Sequence, residues 1–128
     1  MKTAIQLFAA LNFTAIGLSH LFQPRVWVDY FTWLCGKGKV GALLNGLHAL
    51  AFGSLIVAFH NIWHGLPMVL TIIGWAQVLK GLLNMVAPSL GVRMLHHVRV
   101  ERAWEFRLGG ALALVLAAVL WYLVLVGG

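Results

Sequence analysis

Four stretches of this chain, residues 4–22, 40–59, 66–87 and 106–126, are apolar over the length a helix needs to cross a bilayer. About 20 residues rising 1.5 Å each span the hydrocarbon core. No other feature limits the fold as strongly. In lipid every backbone N–H and C=O must be paired within its own helix or around a closed barrel. The two-residue alternation of barrel strands is absent, so the four stretches are expected to be helices. Only 9% of the 128 residues are charged and 62% are hydrophobic. A soluble domain carries about 25% charged residues, so this chain has too little polar surface to wet a globule. The expectation is an all-α membrane protein, with residues 1–128 forming a single transmembrane domain. Met1-Lys2 and the first apolar stretch have the outline of a signal sequence. No small-x-small cleavage site follows, so residues 4–22 are read as a retained span.

The net charge of +6 does not point to nucleic acid, because the basic residues lie in the connectors between apolar spans. Arg25, Lys37, Lys39, Arg93, Arg99, Arg102 and Arg107 all fall between spans one and two or between spans three and four. Opposite them are Lys2 and the segment 60–67, which has no Lys, Arg, Asp or Glu. The positive-inside rule puts the basic connectors in the cytoplasm and both termini on the non-cytoplasmic side. In the first connector, Trp27, Tyr30, Phe31 and Trp33 suit the headgroup zone. Arg25 and Asp29 share a polar side at i,i+4, so a short interfacial helix is allowed there. The second connector, after Pro88, is read as a loop. Gly36-Lys37-Gly38-Lys39 is read as a flexible basic turn. Cys35 is the single cysteine and makes no intrachain disulfide.

An offset of 64 residues aligns the two halves without a gap. Gly17-Leu18 falls on Gly81-Leu82, Pro24 on Pro88, Val28 on Val92, Gly46 on Gly110 and Ala49-Leu50 on Ala113-Leu114. Each unit is a span, a proline, a basic connector and a second span. Two spans per unit give both copies the same orientation, so the fold expected is two tandem parallel-repeat hairpins, 4–59 and 66–126. The Gly-x6-Pro element, basic connector and Arg-x-Gly-Gly are carried here by Gly81, Pro88, Arg107 and Gly109-Gly110. This pattern resembles the short two-span YjeT-type bacterial inner-membrane proteins, mainly over the second half. The whole chain, with His60-Asn61-Ile62-Trp63 and Gly74-Trp75…Lys80-Gly81, resembles small uncharacterised bacterial membrane proteins with four spans. The resemblance implies a fold and a location in the bacterial inner (cytoplasmic) membrane. It implies no activity.

Within the spans, polar residues stand out. Gln77, Lys80 and Asn84 occupy i, i+3 and i+7, one stripe on span three. A lysine in a span is expensive, and the chain's carboxylates, Asp29, Glu101 and Glu105, all lie in the basic connectors. Three readings of Lys80 stand. It snorkels or is held by Asn45, Asn12 or a carbonyl; it binds an anionic ligand or headgroup or gates an ion path; or it accepts protons. On span two, Ala42, Gly46, Ala49 and Gly53 form a small-residue stripe that suits close helix packing. Asn45 and His48 flank that stripe. The candidate ligand-binding set is Lys80, Gln77, Asn84, Asn45, His48 and Asn12.

No resident cofactor is expected, but two histidine arrangements bear on metals. His60 and His64 share a face if helix continues through them, an i,i+4 spacing that suits copper or zinc, with Met68 extending it. His20 and His48 lie in the same half of neighbouring spans, where axial haem ligation is the alternative to interhelical hydrogen bonding. Catalytic constellations are poor: the spans lack paired carboxylates, and Ser19, Ser54 and Cys35 lack a base with an orienting partner. Three functions follow in order. The first is a binding or transport protein with a polar intramembrane site around Lys80. The second is an accessory or assembly subunit of a membrane complex. The third is a metal or haem protein. Four spans bury little volume, so membrane lipid and a homo-oligomer or larger complex are the partners expected.

Overall fold

The computed structural model describes residues 2–127, and among them every regular element is helical. Helix α1 (Lys2–Phe22) stops where Pro24 forces the preceding Gln23 out of helical geometry, at φ −129° and ψ 52°. Pro24 then starts α2 (Pro24–Gly36), where its missing N–H does no harm. The chain reverses through Gly38, whose φ of +62° favours glycine, into α3 (Lys39–Phe59). Residues 60–67 form an irregular turn, with Gly65 at φ +67°, before α4 (Met68–Val86). Pro88 repeats the action of Pro24: Ala87 leaves helical geometry and α5 (Pro88–Leu95) begins. A single 3-10 turn (Val100–Arg102) leads to α6 (Ala103–Gly127). A short helix, which the sequence allows in the first connector, is present as α2. The connector read as a loop after Pro88 contains α5, because proline initiates a helix there just as it does at Pro24.

Helices α1, α3, α4 and α6 are each long and apolar enough to cross a membrane. Their outward faces are leucine-rich: Leu7, Leu11, Leu18, Leu43, Leu47, Leu55, Leu79, Leu82 and Leu112 are all exposed. In a water-soluble bundle that sheath would be a fault; against lipid tails it needs no further cover.

The close pairs are α1 with α6 and α3 with α4. The two members of a sequence hairpin, α1 and α3, touch each other only slightly. The reason is local. The turn at 60–67 is short, so α3 and α4 become antiparallel neighbours, whereas α2 carries the chain sideways between α1 and α3. Glycines set the approach within each pair. A Cβ on Gly46 would lie 2.9 Å from the Gly81 carbonyl oxygen, and one on Gly81 would lie 2.7 Å from the Leu50 nitrogen. Gly53 and Gly74 continue the seam, a Cβ on Gly53 falling 2.7 Å from the Gly74 oxygen. The stripe Ala42, Gly46, Ala49 and Gly53 is wholly buried. Across the other pair, a Cβ on Gly110 would lie 2.7 Å from the Gly17 oxygen, and one on Gly17 would lie 2.9 Å from Leu114 Cγ.

All four long helices meet at the 60–67 end. Ile5, Ala9 and Ala10 of α1, Ile56 of α3, Leu70 of α4 and Leu120 of α6 form the buried core there. A polar knot closes the same end. Gln6 Nε2 donates to His60 Nε2 at 3.2 Å, which leaves the His60 proton on Nδ1, 3.1 Å from Thr71 Oγ1. Thr71 Oγ1 also accepts from the Ile62 N–H at 3.0 Å and donates to the His60 carbonyl at 3.4 Å. One hydroxyl therefore ties the 60–67 turn to α4, and the imidazole ties it to α1.

Two outcomes follow for the full chain purified in detergent. Gly110→Val should lower the thermal midpoint by the equivalent of about 1–3 kcal/mol of overpacking. Its neighbour Gly109, whose added Cβ meets nothing within 4 Å, should accept valine with no measurable change. Equal midpoints would mean that the glycine approach does not hold α1 to α6. In the knot, Thr71→Val should cost about 1–3 kcal/mol by stranding buried donors, and Thr71→Ser should recover most of that loss.

Candidate functional site

At the end opposite the knot, the space between α1 and the α3–α4 pair is an open cleft of about 670 Å³, with α2 forming part of its wall. The volume falls within the usual range for small-molecule sites, about 300–1,000 Å³. Lys80 and Gln77 project from α4, one helical turn apart, and Asn45 and His48 do the same from α3. Facing them are Phe13, Ile16, Ser19 and His20 of α1, and Val26, Trp27, Tyr30 and Phe31 of α2. Phe52 of α3 meets Phe13 edge-on, at 5.8 Å and 84°, and both rings pack against the core cluster, closing the inner end. The Lys80 backbone stands six residues before the end of α4, about 9 Å at 1.5 Å per residue.

The polar side chains of the spans divide into two groups. Most of those away from the cleft are engaged by the protein; one buried atom, Asn84 Oδ1, has no partner among the described residues. Asn12 Nδ2 donates to the Phe8 carbonyl at 2.8 Å, Thr14 Oγ1 to the Ala10 carbonyl at 2.7 Å, and Asn84 Nδ2 to the Lys80 carbonyl at 2.9 Å. Gln6, His60 and Thr71 form the knot, and Ser54 donates to the Ala51 carbonyl. On the cleft's α1–α2 wall, Ser19 Oγ accepts from Trp27 Nε1 at 2.7 Å, and His20 Nδ1 donates to the Ile16 carbonyl at 2.9 Å. The polar groups of Asn45, His48, Gln77 and Lys80 make no such bond with any described residue. All four line the cleft. The only ion pair among the described residues is Arg102–Glu105, at 3.6 Å and exposed. The Lys80 ammonium therefore has neither a carboxylate nor a carbonyl as partner within the described chain.

Of the six ligand-binding candidates, the cleft brings together Lys80, Gln77, Asn45 and His48 and leaves out two. Asn84 is 2% exposed and turned into the α3–α4 and α5 packing, where its Oδ1 abuts Gly91. Seven residues beyond Gln77 and four beyond Lys80, it shares their stripe in sequence, but the cleft narrows to a packed seam before reaching it. Asn12 is half-buried, and its amide is already bonded to its own helix. The His60–His64 pairing depended on helix continuing past Phe59. The helix ends there, His60 is extended at φ −145° and ψ 93°, and His64 is exposed. Both His60 ring nitrogens are engaged in the knot, so the side chain is a structural acceptor and donor rather than half of an i,i+4 metal pair. No group of three or more His, Cys, Asp or Glu that could hold a metal ion occurs among the described residues. His20 and His48 do line the same cleft.

The aromatic wall was not singled out by sequence reasoning, which assigned Trp27, Tyr30 and Phe31 to the headgroup zone. The signal was present in the Trp27–Ser19 spacing: with Pro24 between them, helix α2 turns back over the end of α1. Comparison of the chain with family models, curated proteins and solved structures finds no match.

Proposed function

We propose that this is a binding or transport protein of the bacterial inner membrane that holds an anionic amphiphile in the cleft around Lys80. The observation that carries this reading is the division of polar groups. Asn45, His48, Gln77 and Lys80 are unbonded among the described residues and converge on a single cleft that contains the only cation of α4, whereas Asn84 Oδ1, also without a partner, is buried against Gly91 outside it. A lysine at the centre of a span costs roughly 2.5–3.5 kcal/mol on insertion scales. An anionic group between Lys80, Gln77 and Asn45 offsets that cost through charge-assisted hydrogen bonds. The apolar remainder of such a ligand lies along Phe13, Ile16 and Phe52. The basic connectors, read as cytoplasmic, give the same end of the bundle an attraction for anions.

Two features of the frame belong to this proposal. The contacts of Gly17 with Gly110 and Leu114 recur, 64 residues on, as those of Gly81 with Gly46 and Leu50. This supports reading the chain as two tandem units whose long helices pair across the halves. The cation then belongs to one unit only, since Gln77 and Lys80 correspond to Phe13 and Ile16. Both versions of these two positions line the cleft.

Binding to the purified full chain in lipid nanodiscs tests the function, with decanoate, dodecyl phosphate and 2-naphthoate as acids and decanol as the neutral control. At least one acid should bind, and Lys80→Gln should weaken it about 10- to 100-fold, the loss expected for a hydrogen bond to a charged group. Decanol should be indifferent to the substitution. Acid binding that survives Lys80→Gln and Lys80→Ala unchanged would remove the proposal.

A further inference from the structure

We infer that the ligand is a planar aromatic acid, its ring lying against the α1–α2 wall and its acid group on Lys80. This rests on the reading that the cleft binds an anionic amphiphile, and it specifies the non-ionic part. The two walls of the cleft differ in chemistry. The α3–α4 wall carries Asn45, His48, Gln77 and Lys80. The α1–α2 wall is a run of rings in mutual contact. His20 and Trp27 stack with centroids 4.1 Å apart and planes at 29°. Trp27 meets Tyr30 edge-on at 5.9 Å and Phe31 at 6.1 Å, and Phe31 stacks on Phe106 of α6 at 5.7 Å.

Membrane anchoring does not account for these rings. Rings free to meet headgroups are the exposed ones, such as Trp33 and Trp104, at 54% and 61%. Trp27 is turned inward, and its indole N–H is taken by Ser19 Oγ. Packing does not account for them either, and the molecule contains its own control. Helix α5 stands to the second half as α2 stands to the first, each starting at a proline after a long helix. At the offset of 64, His20, Trp27 and Phe106 correspond to Asn84, Gly91 and Ala42. Asn84 and His20 make the same bond, each donating to the carbonyl four residues back. Yet α5 seats through small residues: a Cβ on Gly91 would collide with Asn84 Oδ1 and lie 2.9 Å from Ala42 Cβ. A short helix of this kind therefore closes against its neighbours without rings. Where Trp27 replaces glycine and Phe106 replaces alanine, α2 forms one wall of the cleft.

A saturated chain would be served equally well by leucine or valine, which the spans have in abundance. What rings add is attraction for another π-face in an offset or edge-on arrangement. A flat aromatic body on one side and an acidic edge on the other match the two walls.

The test compares 2-naphthoate, 2-naphthamide and decanoate on the full chain in nanodiscs. The inference expects 2-naphthoate to bind about fivefold tighter than decanoate, within what one aromatic contact supplies. It also expects 2-naphthamide to bind more weakly than 2-naphthoate. Trp27→Leu should remove the preference for the ring, bringing 2-naphthoate to the level of decanoate in the same variant, and Trp33→Leu should leave the preference unchanged. Tyr30→Leu, at an exposed position of the same wall, should reduce the preference as well, so the result does not hang on one variant. Should decanoate match or exceed 2-naphthoate in the unsubstituted chain, the aromatic inference fails while the anionic cleft stands. If no acid binds in a Lys80-dependent way, the proposed function fails and this inference with it.

Discussion

A polar group taken out of water must be matched, and in a bilayer it can be matched only by the protein or by what the protein binds. That constraint explains most of the side-chain placements here. Asn12 and Thr14 fold back onto their own helix, and Asn84 does the same on α4. Trp121 of α6 reaches Thr14 at 3.0 Å, so a hydroxyl already bonded to Ala10 also accepts from the neighbouring span. The His60 imidazole, 1% exposed, is held from both nitrogens. Asn84 Oδ1 is left buried without a partner within the described chain, but it stands alone; the unmatched groups of Asn45, His48, Gln77 and Lys80 are informative because they are together.

Close packing determines where that group forms. Glycines allow α3 to lie directly on α4 and α1 directly on α6, and the two pairs converge around Ile5, Ala9, Ile56, Leu70 and Leu120. Each pair is a stiff unit, so the volume between them at the other end is not filled by either. The short helices decide its fate. Small residues let α5 press onto α3 and α4, whereas rings make α2 a wall. The cleft thus follows from two things the chain encodes separately: glycine seams that hold the pairs, and bulky side chains on one of two otherwise comparable short helices.

Much of the frame was legible before any coordinates. The four apolar runs have unmistakable length, and Pro24 and Pro88 mark real helix ends because proline constrains the residue before it. The stripe Ala42, Gly46, Ala49 and Gly53 pointed to close packing, and that is where α4 sits. Lys80, Gln77, Asn45 and His48 were candidates from charge and polarity alone. What sequence could not supply was direction around the helix axis relative to a partner not yet known. Asn84 shares a stripe with Lys80, but the seam against α3 ends the cleft between them. The partner of α1 is α6, more than 80 residues away in sequence, and no local pattern names it. His60 and His64 share a helical spacing in a segment that is not helical. The aromatic wall was misread because Trp and Tyr near a span end ordinarily face the headgroups, and only the turn-back at Pro24 brings Trp27 inward.

The contrast between Asn84 and Lys80 bears on whether the lysine is merely tolerated. Four residues apart on one helix, they show how this fold treats a structural polar group and how it treats the other kind. Asn84 is enclosed, its amide donates within α4, and its carbonyl oxygen abuts Gly91, whose lack of a side chain makes room for it. The packing encloses the residue, although that oxygen has no hydrogen-bond partner among the described residues. Nothing comparable has been built for Lys80. The nearest candidates for a structural partner, Asn45 and Gln77, leave their own amides unbonded in the same cleft, although either carbonyl would be a good acceptor for an ammonium. A lysine kept for packing would be satisfied most cheaply by closing that gap. The opposite wall of the gap is lined with rings. An unpaired cation and unbonded amides in one cleft are departures from what packing alone favours, and the anionic guest proposed above would account for both.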